Sequence, residues 1–256
     1  MKKEQKDNDK ERKMSAMMQK YIDKKKEYPD CILFYRLGDF YEMFFEDAIL
    51  ASKLLEITLT GRDCGLDERA PMCGVPYHAA DLYISKLTDH GYKVAICEQL
   101  TPPSSKQIIE RDVVRIVTPG TLMDDTQLTT QKNNFIASVS SQQTNIVGLS
   151  WIDISTGEFY IQQFAGAEAF TKLNDTLVSI MPSEIIGDKN SCFMGADLQC
   201  CKMGVVPQFS NYQDSVFEFD EAKKTLLTQL NETRLDKLHC ENKAQAVCAA
   251  GGLLSY

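Results

Sequence analysis

The sequence predicts an α/β protein built from two units, and three observations carry that expectation. Short apolar runs bounded by glycine or proline alternate with stretches of helical period through the first half of the chain. From Asn134 onward, three strand-like runs follow one another, turned at Ser155-Thr156-Gly157, before a helical stretch begins. Between the two, Thr118 to Gln131 is polar and contains Pro119-Gly120, the composition of a link. At 256 residues the chain is long for one core and comfortable for two.

Each element follows from local pattern. Residues 1–13 are almost wholly charged or amide and are expected to be disordered. Met14, Met17, Met18, Tyr21 and Ile22 recur at helical spacing, and Pro29 closes that helix. Cys31 to Arg36 is short, apolar and aromatic-rich, which predicts a strand buried on both faces. Gly38-Asp39 breaks it, and a helix is expected from about 40 to 55 with Phe44, Ala48, Ala51 and Leu55 along one face. Ile57 to Thr60 predicts a short strand, and residues 61–68 a polar loop. Pro71 to His78 reads as a tight connection rich in turn formers. The next helix runs to His90, with Gly91 just past its end, where glycine is favoured. Strands at 92–97 and 113–117 flank a loop over 101–106.

In the second unit, strands at 134–140, 145–154 and 158–164 predict an antiparallel meander. A helix carrying Phe170, Leu173, Leu177 and Ile180 stops at Pro182. Strands near 184–187 and 192–194 come next, then helices near 220–231 and 242–256. The order β-β-β-α-β-β-α resembles a ribonuclease-H-like layout. The last helix reaches Tyr256 with no cap, polar tail or stop signal, so the chain is expected to continue beyond it.

Composition narrows the function classes. No apolar run approaches the ~20 residues of a membrane helix. The charged start Met1-Lys2-Lys3-Glu4-Gln5-Lys6 has no hydrophobic stretch behind it, so no secretory signal is read there. Nine cysteines form no C-x-x-C pair and total an odd number, and His78, His90 and His239 do not supply zinc-ligand spacing. Reduced, mostly buried thiols in a cytoplasmic protein are the expectation. A net charge of −8 argues against a simple basic nucleic-acid binder. Residues 1–26 nevertheless carry ten Lys/Arg against five Asp/Glu, whereas residues 126–256 carry nine against fourteen. Any nucleic-acid contact in the first half is therefore expected to be local, or to be helped by regions outside these residues.

The most informative stretch is Gly38-Asp39-Phe40-Tyr41-Glu42, where an aromatic and an acid sit two apart beside a rigid strand. A wedge and a hydrogen-bonding acid at such a corner suit insertion beside an unstacked base. The same spacing also fits a helix capping box, D-x-x-E, in which Glu42 serves only a backbone N–H.

Phe34-Tyr35-Arg36-Leu37-Gly38-Asp39-Phe40-Tyr41-Glu42-Met43-Phe44 closely resembles the mismatch-recognition segment of the bacterial MutS family of DNA mismatch repair proteins. Three further blocks resemble the same family in the same order: residues 71–79, 94–99 and 113–121. Weaker motifs at 133–137, 153–159 and 249–256 are similar to that family's connector domain. The resemblance implies a mixed-sheet mismatch-recognition domain over 14–125, a linker over 126–133 and a ribonuclease-H-like connector domain over 134–256. It also implies that Phe40 and Glu42 enter the minor groove of kinked, mispaired duplex DNA. Arg62 would meet a phosphate and Met72 would pack beside the bent groove, each with a plainer reading as a loop charge and a buried apolar contact. Glu42 is expected to penalise matched duplex more than mismatch, hydrogen-bonding the displaced base.

No G-x-x-x-x-G-K-[ST] phosphate loop occurs in the sequence. The resemblance therefore places ATP, magnesium, the ATPase and most of the homodimer contact in regions outside these residues, which alone are expected to be neither ATPase nor nuclease. MutL is the implied protein partner, the connector passing on the state of the ATPase. Two rivals remain open. Asp153 and Glu158 could belong to a metal-dependent nuclease of ribonuclease-H type, although no matching third acid is found and solvated hairpin acids are the plainer reading. The first unit could instead be a structural module acting on junctions, a role that does not need the wedge.

Overall fold

The computed structural model describes residues 14–101, 109–122, 133–143, 145–187, 208–211 and 214–256. The expected disorder over 1–13, the loop at 101–106, the strand near 192–194 and the linker over 126–133 lie wholly or almost wholly outside these residues. Two compact units divide between Thr118 and Pro119.

Among the described residues, the first unit holds a six-stranded mixed sheet in the order β3 (Thr60–Arg62), β4 (Ala70–Pro76), β2 (Phe40–Phe44), β1 (Cys31–Leu37), β5 (Lys93–Gln99), β6 (Arg111–Val117). Helix α1 (Ala16–Glu27) is capped by Ser15, whose hydroxyl accepts from the Met18 amide at 3.4 Å. It packs Met18 and Tyr21 onto a core with Leu33, Tyr35 and Phe44. Strand β1 (Cys31–Leu37) is buried along its first five residues, as the apolar run predicts, because it lies parallel to β5 (Lys93–Gln99) and antiparallel to β2 (Phe40–Phe44).

Strand β2 corrects the sequence reading. Residues 40–44 are extended, and α2 (Phe45–Leu55) begins only at Phe45. The helical period of Ala48, Ala51 and Leu55 is real, and all three are buried, but it does not reach back to Phe40. Gly38 takes φ +62°, a conformation glycine adopts without steric cost, and Leu37 pairs with Phe40 across a two-residue turn. The chain thus reverses into a hairpin, and pairing on both edges of β2 outweighs its local helical pattern. The capping-box reading fails with it, since α2 has no side-chain cap.

Beyond β2 lie β4 (Ala70–Pro76) and the short edge strand β3 (Thr60–Arg62). The segment read as a tight connection is therefore mostly strand, and only Tyr77–Ala79 turns, into a 3-10 helix ahead of α3 (Ala80–Asp89). The expected strand at 57–60 begins three residues late. Gly91 follows the His90 cap with φ +84°, as expected. Strand β6 (Arg111–Val117) closes the other edge.

Among the described residues, the second unit holds a five-stranded sheet in the order β11 (Gln208–Asn211), β10 (Glu184–Gly187), β7 (Phe135–Gln143), β8 (Ile146–Asp153), β9 (Glu158–Ala165). Strands β7 (Phe135–Gln143), β8 (Ile146–Asp153) and β9 (Glu158–Ala165) form the antiparallel meander. Strand β10 (Glu184–Gly187) then runs parallel to β7, and β11 (Gln208–Asn211) parallel to β10. This arrangement fits the ribonuclease-H-like expectation. Helix α4 (Ala169–Ile180) seats Leu173 and Leu177 against Val139, Val147 and Leu149. Helices α5 (Phe219–Gln229) and α6 (Ala244–Ser255) form a further buried layer. Gly251 and Gly252 of α6 allow the close approach: a Cβ there would lie 2.2 Å from Ala222 and 2.3 Å from the Phe217 ring.

Cys31, Cys64, Cys73, Cys97 and Cys240 are buried, free thiols, and Cys248 is buried as well. Burial pushes the thiols of Cys31, Cys73 and Cys97 up to about 12. Among the described residues no helix is long and apolar enough to cross a membrane, and no His/Cys/Asp/Glu group could hold a metal ion.

Candidate functional site

Alternation along a strand places residues 40, 42 and 44 on one face of β2 and residues 41 and 43 on the other. Tyr41, Met43 and Phe44 are buried, whereas Phe40, first after the turn, is 47% exposed. An exposed phenyl ring at the tip of a two-residue hairpin is thus held by a strand whose other residues are anchored. The anchoring is specific. The Tyr21 hydroxyl accepts from the Phe44 amide at 3.2 Å and lies 3.3 Å from Asp47 Oδ2. Asp47 in turn accepts from the Leu33 amide at 2.9 Å and pairs with Lys25 at 2.9 Å.

Glu42 lies on the same face as Phe40, opposite Gly74 of β4. Its carboxylate is paired with the Arg62 guanidinium, which reaches from β3 across β4. Gly74 presents no side chain between them. The Glu42 side chain is 15% exposed and that of Arg62 37%, so the acid sits inside while the cation forms the outer part of the pair. Met72 is opposite Phe44 on β2 and Thr60 on β3, and it packs on the Tyr21–Phe44 core. The structure therefore brings Phe40, Glu42 and Arg62 to one surface, with Met72 further along the same strands and partly covered.

Three residues that the sequence reading did not assign to the site surround the turn. Arg36 lies with its guanidinium 3.7 Å from the centroid of the Tyr77 ring. Glu98 accepts from the Tyr41 hydroxyl and lies 3.9 Å from Arg36. Burial first, and the Glu98 carboxylate second, push the Tyr41 phenol up to about 12. Tyr77 is itself 45% exposed. The sequence signal for them was present, because Arg36 and Tyr77 lie inside the two quoted blocks, but their contact is made by β2–β4 pairing.

In the second unit, Asp153 pairs with Glu158 across the β8–β9 hairpin. Asp153 is buried, which corrects the reading of it as a solvated hairpin acid. Burial alone would raise its pKa. Hydrogen bonds from the Ser155 hydroxyl at 2.6 Å, the Ser155 amide at 2.9 Å and the Asn134 amide at 3.1 Å outweigh that, and the carboxyl lies below its usual range. Both carboxylate oxygens are thus engaged in fastening the turn and the start of β7.

Residues 15–126 match the family model described as MutS domain I, and residues 134–256 match MutS domain II. The chain is 47% identical over 244 residues to the DNA mismatch repair protein MutS of Ruminiclostridium cellulolyticum, covering 95% of this chain and 28% of that protein. It is 54% identical over 174 residues to the protein of the same name from Acetivibrio thermocellus, covering 68% and 20%. The relative in Clostridioides difficile is 54% identical over 175 residues, covering 68% and 18%. The chain spans less than a third of the length of these relatives, between 18% and 28%.

Proposed function

This chain belongs to the MutS family of DNA mismatch repair proteins, and on that premise we propose that its first domain recognises mispaired and unpaired bases by inserting Phe40 into the minor groove. One observation carries the reading: a half-exposed aromatic ring stands at a hairpin tip whose supporting strand buries Tyr41, Met43 and Phe44. Inserting such a ring between base steps costs a few kcal/mol of unstacking and kinks the duplex. The cost is lower where pairing is already broken. Stacking on the ring returns roughly 1–3 kcal/mol whichever base is involved. One wedge therefore detects many mispairs through deformability, without reading sequence.

Glu42 supplies discrimination. Paired to Arg62, it neutralises a cation that would otherwise bind phosphate. On mismatched DNA, Arg62 turns to the backbone and Glu42 hydrogen-bonds the displaced base. Met72 flanks the bent groove. The second domain is a ribonuclease-H-like relay without catalytic function, consistent with the engagement of both Asp153 oxygens inside its own hairpin. The whole protein is a cytoplasmic, ATP- and magnesium-dependent dimer that recruits MutL, its ATPase lying outside these residues.

The test compares wild type and Phe40→Ala in the full-length protein, by fluorescence anisotropy on one duplex with and without a G·T pair at fixed salt. The expected result is loss of the mismatch preference with the fold retained. An unchanged preference returns Phe40 to an ordinary surface role.

A further inference from the structure

We infer that Arg36 and Tyr77 form a clamp that fixes the Gly38-Asp39 turn, so that Phe40 is already in its inserting orientation before DNA arrives; this rests on the reading of Phe40 as the wedge. The contacts close a ring around the turn. Arg36 Nε donates to the Gly38 carbonyl at 2.5 Å. The Tyr77 amide donates to the Asp39 carbonyl at 3.0 Å. The Arg36 guanidinium then lies on the Tyr77 ring at 3.7 Å, joining the two arms.

The clamp is itself anchored. Arg111 Nε and Gln99 Nε2 donate to the Arg36 carbonyl at 2.7 and 3.3 Å. Glu98 lies beside the guanidinium, whose side chain is only 17% exposed. A solvated cation of general electrostatic use would not be withdrawn in this way. The turn, by contrast, has little packing of its own: a Cβ placed on Gly38 meets nothing within 4 Å. Beyond the β1–β2 and β2–β4 ladders that flank it, its orientation is therefore set by the two carbonyl bonds and the stacked pair.

A wedge held in its binding geometry loses less freedom on insertion than one that must be ordered in the complex. The planar guanidinium supplies both the bond and the stacking face, which a lysine ammonium does not. Tyr77 and Arg36 are thus positioning residues: they act on DNA through Phe40.

The experiment uses the full-length protein with Phe40→Ala, Tyr77→Leu, Tyr77→Phe and Arg36→Lys. Three quantities are read: affinity for matched and G·T duplexes at fixed salt, fluorescence of a 2-aminopurine beside the mispair, and thermal unfolding. Tyr77→Leu keeps the backbone bond but removes the ring face, and should lower the mismatch preference about threefold to tenfold at unchanged unfolding temperature. The 2-aminopurine rise should shrink in parallel, and Tyr77→Phe should restore both. Retained preference in Tyr77→Leu, with Phe40→Ala defective, overturns the clamp and leaves the wedge standing. Equal loss in Tyr77→Leu and Tyr77→Phe also overturns it, because the hydroxyl rather than the ring is then at work. Retained preference in Phe40→Ala removes the underlying reading instead. Should Tyr77→Leu fail to fold, Arg36→Lys keeps the charge without the stack, and an unaltered preference there equally overturns the clamp.

Discussion

Replacing Glu42 with glutamine should strengthen binding to perfectly paired DNA more than to mismatched DNA. The Glu42 carboxylate and the Arg62 guanidinium neutralise each other, with Arg62 the more exposed partner. As an ion pair this contributes at most about 1 kcal/mol to folding, given the exposure of Arg62. Its effect on DNA is larger. Glutamine removes one negative charge near the phosphates and releases one guanidinium to meet them. One added phosphate contact steepens the dependence of log affinity on log salt by roughly 0.9. Between 50 and 200 mM salt, that single contact makes affinity fall about 3.5-fold more than in wild type. On a mismatch Arg62 is already free to contact phosphate, so the gain there is smaller and the mismatch-to-matched ratio drops. The assay is anisotropy of the full-length protein on matched and G·T duplexes across four salt concentrations. An unchanged salt slope on matched DNA together with an unchanged ratio would refute the exchange of Arg62 between Glu42 and phosphate.

Two further outcomes test the scaffold. Asp47→Ala leaves the buried Leu33 amide without its acceptor and removes the carboxylate partner of Lys25, which keeps the Pro29 and Cys31 carbonyls, and should destabilise the first unit by about 1–3 kcal/mol, seen as faster hydrogen exchange at Leu33; wild-type exchange there would contradict the role given to Asp47. Because its pKa is lowered on folding, Asp153 contributes stability that is full above the ordinary carboxylate value near 3.9 and is lost as pH falls through the lower folded value. Asp153→Asn should therefore flatten the acid side of the stability profile, followed through Trp151, which stacks on Tyr160 at 5.0 Å in the same strand pair; parallel profiles would count against it.

The parts legible in the sequence are those that local physics decides. Cys31 to Tyr35 is apolar on both faces and is buried on both. Gly91 stops α3 because glycine accepts positive φ. The meander follows from alternation and turn spacing, and the strand at 184–187 from its short apolar run, but the parallel pairing of β10 with β7 does not. What failed was decided by distant pairing. Asp39 and Glu42 imitate a capping box, yet β1 and β4 on either side hold Phe40–Phe44 extended. Pro71, Gly74 and Pro76 imitate a turn, yet their segment is strand β4 between β3 and β2.

The site divides in the same way. Phe40 and Glu42 were legible from the resemblance of their segment and from the corner that Gly38-Asp39 makes, whereas their sharing of one face follows from strand β2, whose local pattern suggests helix. The pairing of Glu42 with Arg62 was not legible, because it depends on β3 lying one strand beyond β4. Arg36 and Tyr77 meet only because the β2–β4 register sets Phe40 opposite Pro76. Their spacing in sequence carries no hint of that contact.

The central claim is that Phe40 enters the base stack. The direct measurement places 2-aminopurine next to an unpaired base and follows its fluorescence as the full-length protein is added, in wild type and Phe40→Leu. Wild type should raise the fluorescence through unstacking, while Phe40→Leu, an apolar side chain of similar bulk with no aromatic face, should bind with a much weaker rise. Equal rises for both proteins would contradict insertion of the aromatic ring.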